Sequence, residues 1–487
     1  MERNRIVKKI MLYVQVRFRS PLNVSSGEDE WTDADLLRDG NGDVFVPGSS
    51  LAGAMRAYIK KEKNKPCLLG YTKHEENGLD TGKMSALFIS DLTFDEQPLS
   101  GVRDGVELNA QKTAKSESKY DMEILEAGSK AHFFLELTVR EQDNEKEMQQ
   151  EISKVFRGIN EGEIRLGSKK TRGFGEFEIL SVSEKEYTKE NYADYANAYQ
   201  NNSWKDAENK LKEWMEKADW TPATLHIEVP LRMKGGISIR RYAAKKGEPD
   251  YVHLTRPVIQ TDENGNETDR NEIAVLPGNS LAGAIRHRME MIIWELKEAG
   301  AELPKNSTDI INTIFGYVNG DQGCASNIIV HEVDIKGAKQ LTMVRTGVSR
   351  FESAVKRGSL YTEKTYVDGT LNVRIDVRKV DNWQDEAWMI GILLLVLKDL
   401  QNGLLAVGGQ TAIGRGIFSA NGPITIDGIP IDKTPMDEIL DDEKMIAGKS
   451  VDGDRTAGNA ADGTVSVENF LIGNLLKNMP ENGGGKA

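Results

Sequence analysis

Seven carboxylates crowd the stretch "GEDEWTDADLLRDGNGD" (Gly27–Asp43): Glu28, Asp29, Glu30, Asp33, Asp35, Asp39 and Asp43. Carboxylates at that density solvate a loop, hold a hard cation, or move a proton. Two glycine-rich stretches carry the opposite sign. In "IRLGSKKTRGFGEFEI" (Ile164–Ile179), Arg165, Lys169, Lys170 and Arg172 surround Gly167, Gly173 and Gly175; in "LLAVGGQTAIGRGIFS" (Leu404–Ser419), Arg415 stands between Gly414 and Gly416. Glycines expose backbone N–H groups and let another chain approach, and adjacent cations then favour phosphate. The same residues also suit a tight turn into a strand. A third basic run, "RMKGGISIRRYAAKK" (Arg232–Lys246), packs six cations, Arg240 and Arg241 among them, into 15 residues. It suits a phosphate-gripping loop or a plainly exposed one. Neither glycine stretch matches GxxxxGK[ST], so a P-loop is excluded. The six histidines lack metal-ligand spacing, and Cys67 and Cys324 lack CxxC partners. A zinc site and a disulfide framework are therefore unsupported.

The elements that must position these groups occur twice. "VPGSSLAGAMR" (Val46–Arg56) returns as "LPGNSLAGAIR" (Leu276–Arg286), 230 positions later. Behind each phrase come a hairpin-like segment, a polar excursion ("GVELNAQKTAKSESKY", "GVSRFESAVKRGSLY") and a glycine stretch, in the same order. A repeat that long is one whole domain per copy rather than a solenoid unit. "MLYVQVRFR" (Met11–Arg19) and "ATLHIEVPLR" (Ala223–Arg232) alternate as half-buried strands do. Each Pro-Gly turn leads to N-cap candidates, Ser49 and Ser50 or Asn279 and Ser280. Helices follow near Leu51–Lys61 and Leu281–Lys297, where Ala and Gly let the backbone approach a sheet. Second helices are expected at Glu145–Gly158 and Gln384–Gln401. The order β-α-β-β-α-β, with a long insertion between the central strands, predicts an α+β fold: two ferredoxin-like domains in tandem. The domain reading is 1–183, a helical linker at 184–220, 221–420, and an acidic, partly disordered tail at 421–487.

A chain of 487 residues suits about two to four domains. The net charge of −13 argues against an all-over nucleic-acid surface, but residues 421–487, with 12 acidic and 6 basic side chains, hold −6 of it. The longest apolar run, Ala387–Leu397, is too short to span a bilayer, and no secretion signal opens the chain. A cytoplasmic protein with no membrane partner is expected.

The P-G-[SN]-S-L-x-G-x-[MI]-R helix start, paired with the closing glycine loop, resembles the RAMP superfamily of CRISPR proteins. The likeness runs from about Met11 to Leu180 and from Ala223 to Ser419. It is nearest to the backbone subunits of type III effector complexes, here as a tandem fusion. The resemblance implies partners: a guide CRISPR RNA, a complementary target RNA and other effector subunits. It implies that Ser49, Ser50, Arg56, Asn279, Ser280, Arg286, Lys169, Lys170, Arg172, Arg240, Arg241 and Arg415 face RNA. The polar excursions Arg103–Tyr120 and Arg345–Tyr361 would be thumbs that wedge the guide–target duplex. "DADLLRD" (Asp33–Asp39) would place Asp33 where the family keeps its RNA-cutting acid, acting as base or as ligand of a divalent cation such as Mg2+, with Asp35 in reserve. In the second copy "TRPVIQTD" puts Thr255 at that position. A non-cutting second copy is then expected, unless Asp250 or His253 substitutes. A scaffold that binds guide RNA without cutting is the alternative.

Overall fold

The computed structural model describes residues 4–432 and 467–475, apart from 26, 28–31, 61–67, 74–80, 110–112, 201–203, 205–206, 242–247, 262–266, 304, 321 and 380–382. Glu28, Asp29, Glu30, Lys246 and the tail segment "AGKSVDGDRTAGNAADG" lie outside the described residues. The chain forms two compact units. The first comprises Met1–Arg103, Tyr120–Lys170 and Phe174–Pro222; the second comprises Ala223–Ala487 with Asp104–Lys119 and Thr171–Gly173.

In the first unit the opening strand, Ile6–Phe18, lies between the last strand, Phe177–Tyr187, and the third, Lys130–Arg140. Leu87–Ile89 and Leu92–Phe94 continue the sheet beyond the third strand, and every one of these pairings is antiparallel. Ile10, Leu12, Val14, Val16 and Phe18 alternate toward one face. There they meet helices Gly48–Lys60 and Glu145–Asn160 through Met55, Ile59, Met148, Ile152 and Phe156. Each such burial contributes about 1.5–3 kcal/mol. The alternation predicts a half-buried strand, but the other face is covered too. Met11, Phe134 and Tyr187 pack with Ala198 and Trp204, from the segment after the last strand. Buried Glu136 holds that segment, accepting hydrogen bonds from Lys9, Tyr195 and Tyr199. Burial pushes the Glu136 carboxyl up, but those three donors outweigh it and hold it below the usual range. Within the expected helical linker the described α-helix is confined to Leu211–Met215. Its buried Trp214 packs edge-on against Phe156.

The second unit repeats this plan around Thr224–Lys234. Thr370–Arg378 lies on one side of it, with Ile328–Val330 beyond; Ile417–Ala420 and Thr425–Ile426 lie on the other. The sheet thus runs past residue 420 into the segment read as tail. Helices Gly278–Glu298 and Trp383–Gln401 cover one face. The apolar run Ala387–Leu397 belongs to the second of these. It is apolar on nearly every side because a helix from the tail, Val467–Leu475, packs against it through Leu471 and Leu475.

The inserted hairpins are present in both copies. Ser100–Gly105 forms a two-stranded sheet with Tyr120–Leu125, and Lys339–Arg345 pairs with Tyr361–Val367. The helix starts differ from expectation. Both helices begin at the glycine of the Pro-Gly pair, so Ser49, Ser50, Asn279 and Ser280 sit inside the first turn rather than capping it. Pro277 is the N-cap of the second, in extended conformation. In the first, Asp91 supplies the cap by accepting from the Gly48 amide at 2.7 Å. Close approach to the sheet falls on the same glycines. A Cβ on Gly48 would meet Ile89 O at 2.5 Å, and one on Gly278 would meet Val330 O at 2.4 Å.

Candidate functional site

Asp33 is exposed and held by main chain. Its Oδ2 accepts from the Asp121 amide at 2.9 Å, and its own amide donates to Asp121 Oδ1 at 3.2 Å. Asp121 is the second residue of the strand Tyr120–Leu125, which leaves the inserted hairpin. Asp35 points elsewhere: it is 6% exposed and accepts from Thr32 Oγ1 at 2.6 Å, which makes it a brace of the loop rather than a reserve acid. Asp39 closes a turn by accepting from the amides of Asn41 and Asp43.

Asn23, 1% exposed, joins three segments at this site. Its Nδ2 donates to Ala34 O and Glu123 O, and its Oδ1 accepts from Ser168 Oγ at 2.7 Å. Its carbonyl accepts from the Ser168 amide. The acid-bearing loop, the hairpin's exit strand and the glycine loop are thus fixed to one buried amide. Neither Asn23 nor Asp121 stands out in the sequence. The recurrence of Tyr120 and Tyr361 at the hairpin exits was the available signal for the second.

The second copy requires a correction. In the first, Ser25 bridges Leu36 and Arg38 bridges Val44. In the second, Arg240 pairs with His253 and Thr255 with Ala274. Both registers make Thr255 the counterpart of Arg38, and Asp250 the counterpart of Asp33. The hydrogen bonding agrees, because Asp250 Oδ2 accepts from the Thr362 amide at 2.7 Å, one residue beyond Tyr361. Thr255 is buried in a strand and donates to Glu272 at 3.1 Å. The match on Pro257 fails because that proline lies in the hairpin Thr255–Thr261/Glu267–Leu276, which stands between Asp250 and the helix start. The hairpin separates Asp250 from Pro277 by 27 positions, against 14 from Asp33 to Pro47. His253 is no substitute. It is fully buried, accepts from the Ile239 amide at 3.0 Å and donates to Val275 O at 3.1 Å; burial pushes its pKa down to about 4.

For a divalent cation, the fit is a matter of donors. Among the described residues no group of three or more His, Cys, Asp or Glu side chains converges. Mg2+ is commonly held by one or two carboxylates together with substrate phosphate and water. Asp33 and Asp121 supply such a pair of hard oxygen donors; Asp250 faces Thr362 and supplies one.

The cations separate into two groups. Arg415 is 5% exposed and paired with buried Glu363, which also meets Arg345 at 3.2 Å. Arg56 donates to Leu69 O and Gly70 O, and Arg241 forks onto Glu248. These three are engaged within the chain, Arg415 buried and Arg56 and Arg241 half-buried. Arg172 is half-buried in the turn Lys170–Arg172, and Arg286 lies beside Glu290 and over Phe315. Lys169, Lys170 and Arg240 are exposed. The glycines of the closing loops answer to the chain itself. A Cβ on Gly167 would come 2.1 Å from Asn23 O, one on Gly175 1.8 Å from Leu166 O, and one on Gly416 1.9 Å from Val407 O. At matching places in the two loops a non-glycine residue is left-handed, Lys169 at φ +50° and Gln410 at φ +60°.

Two α+β modules of one plan each present an exposed acid at the root of an inserted hairpin, which defines a duplicated protein. The model of the RAMP superfamily matches residues 15–178 and again 224–419, and the chain belongs to that superfamily, with two RAMP domains in tandem. No curated protein matches it. Membership makes it a CRISPR-associated, RNA-binding subunit. No helix among the described residues is long and apolar enough to cross a membrane.

Proposed function

We propose that the chain is a guide-RNA-binding backbone subunit of a type III CRISPR effector complex, and that it cuts guide-paired target RNA at two places, through Asp33 and through Asp250. One observation carries the second cut. The main-chain bond that holds Asp33 at the hairpin exit recurs at Asp250, across two copies whose surrounding residues differ. In this reading the hairpins displace a target base and bring the adjacent 2′-OH in line with the phosphate. The 2′-oxygen attacks phosphorus, the carboxylate takes its proton, and the 5′-oxygen leaves and takes up a proton from water, giving a 2′,3′-cyclic phosphate and a 5′-hydroxyl end. A divalent cation, Mg2+ by its preference for hard oxygens, would be held by Asp33 and Asp121 and would neutralise charge on the phosphate. The guide, the target and other effector subunits complete the groove, in the cytoplasm. The scaffold reading keeps one supporting observation in the second copy, the single carboxylate at Asp250.

The test uses the assembled complex, its guide and an end-labelled complementary RNA in Mg2+. Asp33→Ala should abolish one set of products and Asp250→Ala the other, while Thr255→Ala leaves both. Undiminished cutting by both aspartate variants would sink the proposal; loss of both cuts from Asp33→Ala alone would return the second copy to a scaffold.

A further inference from the structure

Beside each acid a cation covers a tyrosine. Lys169 Nζ stands 4.4 Å from the ring centre of Tyr120, the residue before the amide that holds Asp33. In the second copy the Arg240 guanidinium stands 3.8 Å from the ring centre of Tyr251, the residue after Asp250. Tyr251 meets Tyr361 edge-on at 5.3 Å, and Tyr361 precedes the amide that holds Asp250. The two cations are not counterparts. The left-handed position of Lys169 in its glycine loop is taken by neutral Gln410 in the other. The register of Arg240, opposite His253, is that of exposed Ser25, opposite Leu36. Two diverged copies thus place positive charge on the same aromatic corner from different segments of the chain. General stability does not ask for this, since an exposed cation–π contact contributes only about 0.5–1 kcal/mol.

We propose that Lys169 and Arg240 are catalytic residues of the two cuts, each contacting the non-bridging oxygens of the phosphate under attack and stabilising the charge that builds there. The proposal rests on the two-cut reading and adds its electrophilic half: the carboxylate accepts the 2′-OH proton while the cation faces the phosphoryl oxygens. Tyrosine stacking holds a flexible side chain at the corner before RNA arrives, so less freedom is lost when it does.

The experiment uses the assembled complex with saturating guide and target. Lys169→Met should slow the Asp33 cut at least about tenfold in kcat, with little change in KM, and leave the Asp250 cut as an internal control. Arg240→Met should do the reverse, and Lys169→Arg should keep most of the rate. Adding Ser25→Arg to Lys169→Met moves the charge to the second copy's geometry and should restore the first cut in part. Equal slowing of both cuts, or a loss that disappears at higher guide concentration, would overturn the proposal and leave these cations as general RNA grips. A target with 2′-deoxy sugars at the cut sites separates this from failure of the cleavage reading. On it Lys169→Met should lower the slope of log Kd against log salt by about 0.7–0.9, one phosphate contact. An unchanged slope overturns the contact whether or not the wild-type complex cuts.

Discussion

Asp33 and Asp250 keep their places through a backbone amide, and an amide persists whatever side chain its residue bears. The hairpin exit therefore tolerates Asp121 in one copy and Thr362 in the other without releasing the acid. The residues that brace the two sites diverged further. Asn23 ties the first together, whereas His253 links Ile239 to Val275 in the second. That imidazole gives the second unit a pH dependence of defined sign. Its pKa is pushed down to about 4 by burial, from an ordinary value near 6.5. Above pH 6.5 neither folded nor unfolded chain protonates it. Below that, the unfolded chain binds a proton that the folded one refuses until about pH 4, and roughly 3 kcal/mol is lost across the window. His226 acts oppositely. Burial works against its charge, but the hydrogen bond to Asp376 outweighs burial and raises its pKa, so it stabilises as pH falls. The informative measurement is a difference. Urea unfolding of His253→Gln between pH 7 and pH 4 should lose roughly 3 kcal/mol less than wild type. Parallel curves would mean that the folded imidazole takes up a proton normally.

At the scale of elements, the repeated phrase divides its glycines by task. Gly48 and Gly278 begin their helices against a strand's carbonyls, where any Cβ collides with backbone that cannot swing aside. Gly53 and Gly283, which look in the sequence like the close-packing positions, face open space. Gly48→Ala should therefore destabilise the first unit by about 1–3 kcal/mol. Gly53→Ala should stabilise it by about 0.5–1 kcal/mol, the ordinary gain of replacing glycine within a helix. Shifts of the urea midpoint for the two variants should have opposite signs. Equal signs would refute the assigned close approach.

At the scale of the molecule, both units finish their cores with chain from beyond their last main strand. In the first, Trp214 of Leu211–Met215 covers helix Glu145–Asn160. In the second, Val467–Leu475 covers Trp383–Gln401, approaching so closely at Gly391 that a Cβ there would lie 2.3 Å from Leu471 O. Lys398 and Glu468 add an ion pair at 2.9 Å. Gly391→Ala should expel the tail helix while both sheets persist. Since the collision costs about 1–3 kcal/mol, limited proteolysis of the C-terminal segment should run roughly ten- to hundredfold faster. Unchanged digestion, with the far-UV spectrum retained, would show that the helix stays docked.

The duplication and the α+β class were legible in the chain, because alternation, helical spacing and a repeated Pro-Gly phrase are local properties that survive divergence. Asp33 was singled out in the chain by the match of "DADLLRD" to the family pattern, and the structure places it at the exit of the inserted hairpin. In the second copy the chain left Thr255, Asp250 and His253 as candidates for the matching place. Only strand register, a contact between segments far apart in sequence, makes Asp250 rather than Thr255 the structural counterpart of Asp33. Tertiary structure also sorted the cations. Arg415 and Lys169 read alike as basic residues beside glycine, yet one is buried against Glu363 and the other lies exposed over Tyr120. Burial depends on what the rest of the chain brings alongside, and neighbouring residues do not encode it.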